Sequence, residues 1–203
     1  LLFNDILWVE RAQAEHDEFV RVLQQEGAEV LRLEELLSET LENEEAKKEL
    51  VGRRVSPREV GPLLATPLRE FLLSQGPAEL AQLMIGGLTV GEAHLSRNSL
   101  SSSALSPADF LLRPLPNHLF TRDTSFWVGK AVSVNPMATA ARRQEAYNVE
   151  SVYRHHPRFS AKDHSLWTEA SEGGGGTSME GGDVMMLTSR TLLVGMSKRT
   201  TAA

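Results

Sequence analysis

The 203 residues are 41% apolar and 24% charged, an ordinary balance for a soluble globular protein with room for one large domain or one and a half smaller ones. There is no cysteine, which excludes disulfides, thiolate metal sites and a cysteine nucleophile within these residues. The net charge of −6 is uneven: 14 Asp/Glu against 5 Lys/Arg make residues 1–50 −9, while 16 Lys/Arg against 13 Asp/Glu make the rest +3, too weak a basic surplus for nucleic-acid binding.

No apolar run reaches the roughly 18 residues of a membrane span, and Leu1-Leu2-Phe3-Asn4-Asp5 has neither the basic segment nor the cleavage site of a leader, so the reading is cytoplasmic. The chain starts without Met and stops at Lys198–Ala203 with no closing element, which predicts a fragment. Trp8, Ala12, Phe19, Val20 and Leu23 fall on one face of a helix over residues 8–26, with Gly27 as its cap. Val30-Leu31-Arg32-Leu33 reads as a short strand and Glu34 onward as a second helix, a helix–strand–helix run typical of α/β proteins.

From Glu42 to about Leu95, Pro57, Gly61-Pro62, Pro67, Gly76-Pro77 and Gly86-Gly87 interrupt a leucine-rich helical pattern that shows no strand alternation, which predicts a small bundle of short helices. Ser96 to Pro107 reads as a Ser-rich return loop. Thr124 to Val134 predicts a β-hairpin turning at Gly129-Lys130, Thr139 to about His155 a helix, and Val184–Leu187 with Leu192–Met196 a second hairpin. The order hairpin, helix, hairpin reads as a repeated unit.

The chemistry gathers in Leu115–Asp123, in Asn135-Pro136-Met137 running into Arg142-Arg143, and in Glu180-Gly181-Gly182-Asp183 running into Arg199. The loop Gly173–Gly176 is followed by no Gly-Lys-Ser/Thr and is not a phosphate cradle. The histidines at 16, 94, 118, 155, 156 and 164 lack metal-site spacing and read as surface or helix-end residues, so no metal is predicted. Asp123 alone reads equally as a structural ion pair or turn cap. Beside Glu180 and Asp183 it makes a carboxylate cluster suited to the forked N–H donors of a guanidinium, while Arg142 and Arg199 suit a carboxylate at the ligand's other end. The expected ligand is a zwitterion such as arginine.

Asn117 with Phe120-Thr121-Arg122-Asp123, Asn135-Pro136-Met137, Ala141-Arg142-Arg143-Gln144-Glu145, Met179–Val184 and Gly195-Met196-Ser197-Lys198-Arg199 resemble bacterial arginine deiminase, as do Leu1–Asp5, Trp8-Val9 and Glu15-His16-Asp17, apart from Asn4 where that family has Asp. The resemblance spans the chain. It implies an α/β fold, a five-fold pseudosymmetric propeller of ββαβ modules that would be partial here. Residues 1–41 and 108–203 would form the incomplete catalytic domain, and 42–107 the helical insertion with its return loop. Half a propeller would expose open edges and be poorly soluble alone.

The resemblance further implies L-arginine as substrate, citrulline and ammonia as products, and no cofactor. Asp123 and Glu180 would be catalytic, with Asn117, Phe120, Arg142, Arg199 and Leu2 binding substrate; Phe120 and Leu2 read equally as core, and Asp183 as structural. A cysteine and a His-x-Asp segment complete the family's chemistry and are not in this sequence, so these residues alone are expected to be inactive. The alternatives are an amidinotransferase or methylarginine hydrolase, or a non-catalytic arginine-binding protein; Arg142 and Arg199 argue against agmatine, which has no carboxylate. Partners other than substrate are not predicted, and homo-oligomerisation is left open.

Overall fold

The computed structural model describes residues 6–95, 103–160, 165–168 and 177–201. Helix α1, Val9–Gln25, follows the predicted stripe and ends before Gly27 at φ +84°. Of that stripe only Val20 is buried, Leu23 is half-buried, and Trp8 and Phe19 stay exposed. The strand expected at Val30–Leu33 does not form: residues 28–32 run without regular structure and Leu33 opens helix α2, Leu33–Thr40. Arg32 does take an extended backbone, φ −89° and ψ 129°, but no described strand lies beside it. An extended run without a ladder partner remains a connection.

In the next segment most breakers act as helix boundaries, but Pro67 lies within the helix Pro62–Ser74 and does not end it. Asn43 caps α3, Glu44–Arg54, by accepting the N–H groups of Glu45 at 2.9 Å and Ala46 at 3.3 Å. Ser56 caps the single turn α4, Pro57–Val60, and Pro62 and Pro77 open α5, Pro62–Ser74, and α6, Pro77–Gly86, where a missing N–H costs nothing. Leu37, Leu41, Leu50, Leu68, Leu72, Leu80 and Met84 form one core with Ala146, Tyr147 and Val152 from a later helix. Leu63, one of the leucines of the pattern, is 70% exposed.

Strands are not absent from this segment. Leu88–Thr89 forms β1, antiparallel to β2, Phe110–Leu112, and is too short for alternation to reveal. Helix α7, Val90–Ala93, follows with a Thr89–Glu92 capping box. Residues 96–102 of the predicted Ser-rich loop, and the loop Gly173–Gly176, lie outside the described residues.

The single turn α8, Thr121–Thr124, leads into β3, Ser125–Val128, which turns at Gly129 (φ +59°) into antiparallel β4, Ala131–Val134. Helix α9, Ala140–His155, with α10, Pro157–Ser160, then returns the chain to β5, Ser165–Thr168, parallel to β4. This is one ββαβ unit, whose last strand the sequence pattern does not reveal. A 3-10 turn, Gly181–Asp183, precedes the second hairpin of β6, Val184–Thr188, and β7, Thr191–Val194. The described strands thus form three separate small sheets and no closed barrel. Among the described residues no helix is long and apolar enough to cross a membrane.

Candidate functional site

Three pieces of chain meet at the charged cluster: the Asn117–Thr124 segment, the first turns of α9, and the 3-10 turn with the Ser197–Thr200 bend. Asn135, just past β4, donates its Nδ2 to the Asp123 carbonyl at 2.7 Å and its backbone N–H to Thr124 at 2.9 Å, tying α8 to the sheet. Arg122 faces away from the cluster and donates Nε to the Gly181 carbonyl at 3.1 Å and Nη2 to that of Val184 at 2.8 Å. These bonds draw the 3-10 turn against α8 so closely that a Cβ on Gly181 would sit 2.0 Å from the Arg122 carbonyl oxygen. Only glycine fits there.

Asp123 and Glu180 are thereby brought to one point. Arg142, on the first turn of α9, places Nη1 2.8 Å from Asp123 Oδ2 and 3.8 Å from Glu180 Oε2. Arg199 reaches Glu180 Oε2 at 3.2 Å from the exposed side. Glu180 is 3% exposed, and its Oε1 is buried and accepts no hydrogen bond among the described residues. Burial pushes the Glu180 carboxyl up; Arg199 and Arg142 draw it down, Asp123 and Asp183 oppose them, and the net direction is upward.

Asn117 lies beside the cluster, half-buried, and its backbone carbonyl accepts Arg142 Nη2 at 3.3 Å while its side-chain Oδ1 is buried without a partner among the described residues. Phe120 is half-buried at the N-terminal edge of α8. Leu2 lies outside the described residues. Asp183 accepts the hydroxyls of Thr200 at 2.6 Å and Ser197 at 3.0 Å, the Thr200 bond first among the causes that hold its carboxyl below the usual range. Asp183 thus pins the bend that carries Arg199.

The sequence reading gave no role to Glu145, which takes Arg142 Nε at 3.0 Å and Nη2 at 2.9 Å in a buried fork. The i, i+3 spacing of an acid after an arginine at a helix start was the available signal. The histidine reading needs one correction. His155 and His156 do sit at the end of α9, paired with Glu49 and Glu39 at 2.9 Å, but His118 is buried. Its Nε2 lies 3.2 Å from Asn148 Nδ2, because its segment is pressed onto α9 by the Arg142–Asn117 bond. Among the described residues no group of three acids or histidines could hold a metal. A cavity of about 1090 Å³ lined by Phe19, Leu31, Leu115 and Leu119 includes none of the charged cluster.

Carboxylates and guanidinium groups are packed together at the loop edge of a mixed α/β scaffold, an arrangement chemically able to pair with charge of both signs. The model of the arginine deiminase family matches residues 1–203, and the chain belongs to that family. Membership places it among hydrolases of arginine metabolism, which act on the C–N bonds of a guanidino group.

Proposed function

We propose that this chain supplies the substrate-holding part of an arginine deiminase that converts L-arginine and water to L-citrulline and ammonia in the cytoplasm. The observation that carries the reading is the pair Asp123 and Glu180, both within 3.8 Å of one Arg142 nitrogen, with Glu180 Oε1 buried and unpartnered among the described residues. A planar cation with parallel N–H bonds satisfies both carboxylates at once. Asp123 binds two guanidinium nitrogens. Glu180, its carboxyl raised by burial, binds the guanidinium and passes protons.

Arg142, Arg199 and the free Asn117 oxygen hold the amino-acid end, and Phe120 with Leu2 walls the pocket. Arg142 and Arg199 favour L-arginine over agmatine, since a ligand without a carboxylate leaves two cations unanswered. The rest of the chemistry follows the family resemblance. A thiolate adds to the guanidinium carbon, ammonia leaves after protonation, and water hydrolyses the thiouronium to citrulline, freeing the thiol. The 203 residues contain no cysteine, so the thiol and its acid/base histidine come from further chain that completes a five-module propeller, with residues 42–107 as its helical insertion. Residues 1–203 by themselves release no citrulline.

The test is Asp123→Ala in the complete protein. Losing one charge-assisted fork is expected to lower kcat/KM for arginine by about a hundredfold or more. Near-normal citrulline release would remove Asp123 from the site and overturn the assignment.

A further inference from the structure

The cluster poses a problem of charge. Two guanidinium groups, Arg142 and Arg199, stand beside the two carboxylates that are read as binding a third guanidinium, that of the substrate. Nothing in a simple cluster stops Arg142 from closing both edges on Asp123 and Glu180 as a permanent plug. Accounting for its five N–H donors shows what prevents this. Nε and Nη2 are held by both Glu145 oxygens at 2.9 to 3.1 Å, and Nη2 also reaches the Asn117 carbonyl at 3.3 Å. Only Nη1 faces the cluster, 2.8 Å from Asp123 and 3.8 Å from Glu180. Glu145 is 1% exposed and three residues along the same helix, so its fork is rigid and shielded from water.

We infer that Glu145 is a positioning residue that fixes the face of Arg142 turned to the ligand, so that Arg142 meets Asp123 through Nη1 alone and can receive the α-carboxylate instead of closing both edges on Asp123 and Glu180. It also sets the charge of the site. With Asp123, Glu145, Glu180 and the adjoining Asp183 against Arg142 and Arg199, the ionised cluster carries −2, a net negative charge that favours an amino acid with a cationic side chain, net +1. Without Glu145 that charge drops to −1, and Arg142 has two hydrogen-bonding edges to satisfy on Asp123 and Glu180, the other carboxylates near it among the described residues. The substrate guanidinium then competes with the protein's own.

This inference rests on the arginine-binding reading, and its test separates the two. Calorimetry on the complete protein compares L-arginine with agmatine, which shares the guanidinium and lacks the carboxylate. In Glu145→Gln both ligands weaken through competition from Arg142, but only arginine also loses its carboxylate partner. The arginine-over-agmatine preference is therefore expected to fall by about tenfold or more, with Glu145→Asp restoring part of it. A preference unchanged within about threefold overturns the proposal whether or not melting shifts, since a purely structural role would shift melting and leave the ratio alone.

A second readout needs no ligand. The Arg142 Nε–H resonance is expected to be slowly exchanging in the parent and averaged with solvent in Glu145→Gln. If the parent binds neither ligand, the arginine reading fails, and this resonance decides the positioning role. A slowly exchanging signal that persists in Glu145→Gln overturns it.

Discussion

His118 shows how a single side chain can carry a pH dependence that its sequence position hides. It lies next to Asn117 and behind the site, 4% exposed. Burial pushes its imidazole down to about 4, helped by the positive charges of Arg54 on α3 and Arg142 on α9. A folded value below the unfolded 6.5 means the unfolded chain binds the proton first, so stability is complete above about pH 6.5 and drains away as pH falls towards 4. The full window is worth about 3 kcal/mol. Urea unfolding at pH 7 and pH 5 is expected to show the parent losing about 2 kcal/mol more than His118→Gln. The raised carboxyls of Glu145 and Glu180 have the opposite sign, but both proteins keep them, so they cancel in the comparison. Equal losses would exclude His118 as the source. Asp123, Glu180, Arg142 and Arg199 stand out in the sequence by their setting, beside Pro116-Asn117, the Gly181-Gly182 pair and Asn135-Pro136. The sequence could not place His118 or Glu145, whose roles depend on which helix face is pressed against which loop.

At the scale of elements, legibility followed length and self-sufficiency. Helices α1, α3, α5, α6 and α9 carry their own backbone hydrogen bonds, so periodicity and the breakers Pro62 and Pro77 mark them. Strands depend on partners: β1 and β5 escape notice because their pairing with β2 and β4 spans distant chain, and Val30–Leu33 looks like a strand but finds no neighbour. The contact of α8 with the 3-10 turn is the junction on which the candidate site hangs, and it passes through Gly181. In Gly181→Ala the new Cβ meets the Arg122 carbonyl at 2.0 Å, backbone that cannot yield. The turn must move away, taking Glu180 with it. Arginine affinity is expected to fall by about a hundredfold or more, a loss in line with breaking a buried charge cluster. The helical core of Leu37, Leu68 and Leu80 lies apart from this contact, so far-UV circular dichroism should change little. Retained affinity would mean that Glu180 does not need this packing.

Over the whole molecule, apolar surface is unevenly covered. The helices around Leu72 and Met84 are closed on one core, whereas β6 and β7 expose Met185, Met186 and Leu187 on one strand and Leu193 and Val194 on the other, with Met196 beyond. Successive residues point to opposite faces, so this hairpin is bare on both. A two-stranded sheet is marginal by itself; this one is anchored at its base, where Arg122 donates to Val184 at 2.8 Å, and its outer edges have no described strand beside them. Bare faces with open edges favour pairing between copies. Residues 1–203 produced alone are therefore expected to self-associate, with a sedimentation-average mass that climbs with concentration. Met185 and Leu193 face each other across the ladder, so Met185→Lys with Leu193→Glu places opposite charges side by side, keeps the pairing and removes apolar area from one face. That double variant should shift association to higher concentration without lowering the melting temperature of the helical core. If the parent stays monomeric throughout, the exposed hairpin is not a sticky surface. If the charged variant associates as readily as the parent, the contact lies elsewhere, and the bare stripe of α1 around Trp8 and Phe19 is the next surface to change.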